Sequence, residues 1–167
     1  MHWWLPYFSV LQASYRLETA THDDGPVLAS LHATGFARGW SEDEFDTFLS
    51  DPKSLCLLAK RTSPFGTGGL VGFALFRVVL DEAELLSIAV LPRRRGAGLG
   101  RALLQEGLRQ LYARGVSQVF LDVAEDNAAA INLYRRCGFD ILSKRKGYYP
   151  LPNGERATAL VMSLDLR

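Results

Sequence analysis

The chain has 167 residues, 48% of them hydrophobic and 22% charged, which fits one globular domain with a sizeable core. Its formal net charge of +1 carries no basic excess, which argues against a nucleic-acid binder. Two cysteines, Cys56 and Cys137, and three histidines, His2, His22 and His32, stand at no metal-ligand spacing, so no metal and no disulfide framework are expected, and the setting expected is a reducing cytoplasm.

Met1 to Leu11 is apolar but has no positively charged leader and no small-residue cleavage site, and it is too short to span a bilayer. It reads as an extra strand or a patch packed on the domain, with a membrane or dimer contact through Trp3 and Trp4 as the alternative. Tyr15–Glu18 predicts a short strand. Thr21–Phe36 predicts a helix capped by Thr21, with Val27, Leu28 and Leu31 on one face. Ser41–Leu49 predicts a second helix, because Ser41 and Glu44 stand at capping-box spacing before the apolar stripe of Phe45, Phe48 and Leu49. Ser54–Lys60 reads as a strand, broken by Pro64, Gly66, Gly68 and Gly69. Leu70–Leu80 and Ala83–Leu91 read as two more, joined by a turn at Asp81-Glu82. A loop, Pro92–Gly100, leads into a helix from Leu99 to Arg114 with Leu103, Leu104, Leu108 and Leu111 at helical spacing, ended by Gly115. Ser117–Ala124 alternates as a strand, Asn127–Cys137 is a helix ended by Gly138, and Phe139–Lys146 and Ala157–Leu166 are the last strands, joined by a Pro/Gly loop. The order β-α-α-β-β-β-α-β-α-β-β implies an α/β (α+β) fold: a mixed, mostly antiparallel sheet flanked by helices. Its central β-α-β unit should be parallel with a right-handed crossover.

The loop before the long helix carries the first chemical signal. Gly96, Gly98 and Gly100 let the backbone approach a ligand closely and aim N–H groups at it. The helix start adds its own unpaired N–H groups and partial positive charge, and Arg93, Arg94 and Arg95 deepen the field. A pyrophosphate suits such a cradle. The loop matches neither G-x-G-x-x-G nor G-K-[ST], so taken alone it reads equally as a flexible turn with solvated arginines.

A second run, Asn127-Ala-Ala-Ala130-Ile-Asn-Leu133-Tyr134-Arg-Arg-Cys-Gly138-Phe139, directly follows a strand. Arg95–Gly100 meets the pattern Gln/Arg-x-x-Gly-x-Gly/Ala, and Asn127–Phe139 meets Asn-x-x-Ala-x-x-Leu-Tyr-x-x-x-Gly-Phe. With both motifs in order, the chain resembles the GNAT superfamily of acyl-CoA N-acyltransferases over Glu84 to Phe139, and in element order over Tyr15 to Leu166. Val78–Ala83, Asn127–Ala130, Tyr148-Tyr149-Pro150 and Phe36–Trp40 before Ser41-Glu42 are similar to the branch that acetylates the N-terminal alanine of a small-subunit ribosomal protein. Sequences of that branch begin near Tyr15, which leaves residues 1–14 as an apolar extension and 15–167 as a single acetyltransferase domain.

The resemblance implies acetyl-CoA as co-substrate and no metal. It implies that Ile88, Ala89 and Val90 offer backbone groups to the pantetheine arm, Val90 most directly. Arg95, Gly96, Ala97, Gly98, Leu99, Gly100 and Arg101 line the pyrophosphate, and Asn127 touches the cofactor near splayed strands. Phe36, Trp40, Tyr148 and Tyr149 form the acceptor wall. Tyr134 donates a proton to the departing thiolate, as a phenol of pKa about 10 is protonated at neutral pH. The base is Asp122, one methylene shorter than the glutamate usual there, or Glu84, at the position used by histone-acetylating members. Read alone, Arg101 is a solvated side chain, Asn127 an N-cap, Tyr134 a core residue like Leu133 and Ile131, and each carboxylate a surface charge. The acceptor implied is a protein N-terminus, a ribosomal protein among the candidates, attacked directly in a ternary complex. A small amine, a lysine side chain and a non-catalytic acyl-CoA-binding subunit are the alternatives. No direct nucleic-acid or membrane partner is implied, and a monomer or weak dimer is expected.

Overall fold

The computed structural model describes residues 15–63 and 66–167. The apolar stretch 1–14, with Trp3 and Trp4, and Pro64 lie outside the described residues. Among the described residues, seven strands form one sheet: β1 (Tyr15–Thr19), β2 (Ser54–Ser63), β3 (Gly66–Val79), β4 (Glu82–Val90), β5 (Gln118–Ala124), β6 (Asp140–Pro150) and β7 (Arg156–Asp165), in the order β1-β2-β3-β4-β5-β7-β6. Four helices accompany it: α1 (Gly25–Ala33), α2 (Glu42–Ser50), α3 (Leu99–Ala113) and α4 (Ala128–Arg136). Every strand pair is antiparallel except β4 with β5, as the element order predicts.

Three boundaries differ from expectation. The helix expected over Thr21–Phe36 is a 3-10 turn at His22–Asp24 followed by α1 from Gly25, with Pro26 in its first turn, and it ends at Ala33. Phe36 is therefore off the helix, because the carbonyls of Leu31 and His32 are taken by the Thr34 and Gly35 amides in a closing turn. The glycines expected to break the strand at 66–69 are inside β3. Two register shifts against β2, at Ala59/Lys60 and Lys60/Thr62, absorb them. Finally, β6 continues past Lys146 to Pro150, so Tyr148 and Tyr149 stand on a strand and not in a loop. The turn between β3 and β4 centres on Leu80 and Asp81, with Glu82 already paired to Val79. The capping box of α2 is as expected: Ser41 Oγ accepts from the Glu44 amide at 3.2 Å, and the Ser41 amide donates to Glu44 Oε2 at 2.8 Å.

Strand alternation builds a core on each face. Leu55 and Leu57 of β2, with Ala74 and Phe76 of β3, meet Leu103, Leu104, Leu108 and Leu111 of α3 and Ile131 and Tyr134 of α4. Their neighbours Cys56, Leu58, Phe73 and Leu75 meet Leu28 and Leu31 of α1 and Phe45 of α2. The outer edge strand β6 is largely exposed and carries Lys144, Arg145 and Lys146, charges that discourage edge-to-edge association.

Two irregularities prepare the site. β4 pairs with β5 only at Glu82↔Gln118, Ala83↔Val119 and Glu84↔Phe120. Beyond Glu84 the parallel ladder stops, and the β5-facing backbone of Leu85–Val90 stays outside it. On its other side β4 pairs Leu75↔Ser87 and Phe76↔Leu85, so Leu86 is the extra residue of a β-bulge. A bulge bends its strand and increases local twist, which fits the divergence from β5 just after it.

Candidate active site

The Pro92–Gly100 segment and the start of α3 have the shape of an anion site. Gly96 and Gly98 hold φ of 80° and 79°, where a side chain would be strained. Gly98 is the N-cap of α3 and no side chain caps it, so the first N–H groups of the helix have no partner of that kind. A Cβ at either Gly96 or Gly98 would meet nothing within 4 Å, so the space beside them is open. Arg95 reaches back instead of outward: its Nε donates to the Val90 carbonyl at 3.1 Å. That bond engages the acceptor that sequence reading left for the pantetheine arm. Arg101 is exposed, and its charge lowers the pKa of Cys137 against the larger effect of burial, which raises it.

The two motifs meet at Gly100. A Cβ there would lie 3.4 Å from Leu133 Cδ2 and 3.9 Å from Val90 Cγ2, so the start of α3, the end of β4 and α4 are in contact. Asn127 caps α4 through Oδ1, which accepts from the Ala130 amide at 3.2 Å. Tyr134 follows in the same helix and is 6% exposed. Burial, and then its neighbour Tyr149, push the Tyr134 phenol above the ordinary tyrosine range. The Tyr149 phenol is itself raised, first by burial and then by Asp122. Tyr134, Tyr149 and Asp122 therefore form one electrostatic group.

A cleft of about 300 Å³ opens beside this group, lined by Glu84, Asp122, Arg77, Arg145 and Tyr148 among others. It brings the rival carboxylates together but gives them different surroundings. The Asp122 side chain is 17% exposed, 3.3 Å from Arg145 Nη1, whereas Glu84 is 46% exposed and 3.7 Å from Arg77 Nη2. Tyr148 rests beneath the Arg145 guanidinium, 5.3 Å from its ring centre, and packs edge-on against Tyr149. Sequence reading missed both arginines as partners, since nothing in the spacing of Arg77 or Arg145 places them opposite a carboxylate.

Phe36 and Trp40, expected on the acceptor side, lie around a residue that sequence reading weighed only as a metal ligand. His32 is 2% exposed, and Phe36 and Trp40 stack on it with ring centres at 4.1 Å and 4.8 Å. Its Nδ1 accepts from the Trp40 amide at 3.0 Å. Burial lowers its pKa below the usual 6.5, so the ring stays neutral. The spacing of His32, Phe36 and Trp40, four residues apart each, was a signal that could have found this stack.

Burial pushes the Cys56 thiol up to about 12, which makes it a poor nucleophile. Among the described residues no cluster of three or more His, Cys, Asp or Glu side chains is arranged to hold a metal, and no helix is long and apolar enough to cross a membrane.

The seven-stranded sheet thus opens between β4 and β5, with the glycine-capped start of α3 at the opening. The chain belongs to the acetyltransferase (GNAT) family, whose model matches residues 25–139. It is 39% identical over 143 residues to a ribosomal protein bS18-alanine N-acetyltransferase of Escherichia coli, covering 86% of this chain and 92% of that protein. It is 33% identical over 150 residues to the protein of the same name in Haemophilus ducreyi, covering 90% and 99%. The crystal structure of the ribosomal-protein-S18-alanine N-acetyltransferase from Escherichia coli superposes with a TM-score of 0.81 at 36% identity, covering 91% of this chain and 94% of that one.

Proposed function

We propose that this acetyltransferase moves the acetyl group of acetyl-CoA to the α-amine of a protein N-terminus, in the manner named for its bS18-alanine relatives. The observation that carries the reading is the opening of the sheet after Glu84↔Phe120, flanked by the uncapped start of α3 and by the Tyr134–Tyr149–Asp122 group. The residues fit the co-substrate: helix N–H groups that no side chain caps, beside glycines at positive φ and open space, suit a pyrophosphate. Gly96–Arg101 would bind it, with Arg95 turning from Val90 toward the anion. The unpaired edge of Leu85–Val90 would take the pantetheine amides as a strand takes a neighbour.

In the reaction the neutral amine attacks the thioester carbonyl. The carbon–sulfur bond then breaks, and the thiolate takes the Tyr134 proton. The ammonium proton leaves to Asp122, directly or through a water. Burial keeps the Tyr134 phenol protonated, and because a raised pKa makes it a weaker acid, its proton leaves only to the thiolate charge that develops beside it. Asp122 is favoured over Glu84 because it is the more buried carboxylate and interacts with Tyr149. An α-amine of pKa about 8 is roughly one-tenth neutral at pH 7, so a modest base suffices. Phe36, Trp40, Tyr148 and Tyr149 would wall the first residues of the acceptor. Release of coenzyme A on a panel of Ala-starting peptides, N-blocked lysine peptides and polyamines tests the proposal. It expects turnover on the free chain termini, and turnover confined to the other amines would reject it.

A further inference from the structure

His32 is a buried imidazole that the transfer chemistry does not use. It sits in the last turn of α1, packed against the segment that joins α1 to α2. Phe36 lies nearly parallel to it on one side, at 7°, and Trp40 stacks at 16°. Phe45 of α2 meets it edge-on at 5.8 Å, and Phe73 of β3 lies at 6.1 Å, so helix, segment and sheet all converge on this ring. The Trp40 amide lies just before the first residue of the α2 capping box, and it donates to His32 Nδ1. Only an imidazole with Nδ1 unprotonated can accept that bond. The ring thus fixes both ends of 36–40, one by stacking and the other by a hydrogen bond.

We propose that His32 is a positioning residue for the acceptor: it holds Phe36 and Trp40 in the arrangement that binds the incoming amine, and so sets acceptor affinity without serving acetyl-CoA. This rests on the acceptor reading given above for Phe36 and Trp40. Protonation of Nδ1 would remove the Trp40 bond and loosen the segment. The groups facing the ring permit this switch. Glu44 of α2 is the charged side chain that favours protonation, and it is itself paired with Arg38 at 2.9 Å. α1 offers no other titratable group from Gly25 to Ala33, and β3 presents Phe73.

Two variants separate the parts. His32→Phe keeps a ring in the stack but has no acceptor, and it should raise the acceptor KM about tenfold, the scale of one orphaned N–H. Its kcat and acetyl-CoA KM should stay within about twofold, and amide exchange at Trp40 should quicken. His32→Asn places Oδ1 near where Nδ1 was but has no ring to stack on Phe36, so it should restore the Trp40 bond and recover part of the acceptor affinity lost in His32→Phe. As pH falls below the ordinary histidine range, the wild-type acceptor KM should rise more steeply than that of His32→Asn. Protonation of the acceptor amine affects both proteins alike, so the ratio isolates the ring. An unchanged acceptor KM in His32→Phe, or an acetyl-CoA KM rising in step, would overturn the proposal. If His32→Phe does not fold, the pH comparison decides, and parallel profiles would overturn it. Should the wild type acetylate only a polyamine or a lysine, the N-terminus reading falls. The same comparison on that amine still decides the role of His32.

Discussion

Tyr134 is where packing and the proposed chemistry coincide. Its ring belongs to the core with Phe139, 6.0 Å away, and its hydroxyl sits in the electrostatic reach of Tyr149. Tyr134→Phe keeps the packing and deletes the proton. It should lower kcat by about a hundredfold or more while calorimetry shows acetyl-CoA affinity unchanged. A kcat within a few-fold of wild type would assign Tyr134 to packing alone. The two carboxylates of the cleft give a second test. Asp122→Asn should lower kcat by about a hundredfold or more, and Glu84→Gln should leave it within a few-fold of wild type. The reverse pattern would make Glu84 the base. Tyr134 and the glycines were legible because each belongs to a motif with fixed spacing. Arg145 was not, because its approach to Asp122 depends on β6 lying two strands from β5 across β7, which no local pattern encodes.

At the scale of elements, the helices were read well where caps declare them and poorly where they do not. Ser41 with Glu44, and Asn127 with Ala130, hold α2 and α4 at the expected starts. Pro26 and the turn at Thr34 shortened α1 at both ends, and apolar spacing alone could not see either. Tyr148 and Tyr149 were assigned to a loop on the strength of neighbouring Gly and Pro, yet pairing of Tyr149 with Ala157 carries β6 through them. In α3, Gly107 faces the sheet, and a Cβ there would collide with the buried Phe76 ring. Glycine to alanine within a helix ordinarily gains up to about 1 kcal/mol. Here Gly107→Ala should cost about 1–3 kcal/mol in urea unfolding, and a stabilised variant would show that α3 can shift off β3.

His32 also links element packing to pH. Its folded pKa lies below 6.5, first because of burial, so on acidification the unfolded chain takes up a proton that the folded chain refuses. The stability it contributes is present above pH 6.5 and is lost as pH falls through 6.5 toward the folded value. Urea unfolding at about pH 7.5 and about pH 5.5 should therefore show a smaller loss for His32→Asn than for wild type. Equal losses would mean that the ring accepts its proton in place.

For the whole molecule, the order of strands and helices and the parallel β4–β5 pair followed from sequence, because period-2 and helical patterns alternate cleanly and two motifs anchor them in sequence order. The opening of the sheet did not follow. It depends on the bulge at Leu86 and on a ladder that stops at Glu84↔Phe120, both properties of pairing between distant segments. The proposed acceptor wall belongs to this scale too, since its residues come from the α1–α2 segment and from β6. A site with a modest base disfavours lysine by roughly 3 to 4 kcal/mol from the pKa gap alone. The central claim is tested most directly by giving the protein acetyl-CoA and peptides beginning Ala, Ser, Leu and Glu, each with one internal lysine, and mapping the acetyl group by mass spectrometry. The account predicts acetylation at the α-amine, fastest on the Ala peptide. An acetyl group found mainly on the lysine would contradict it.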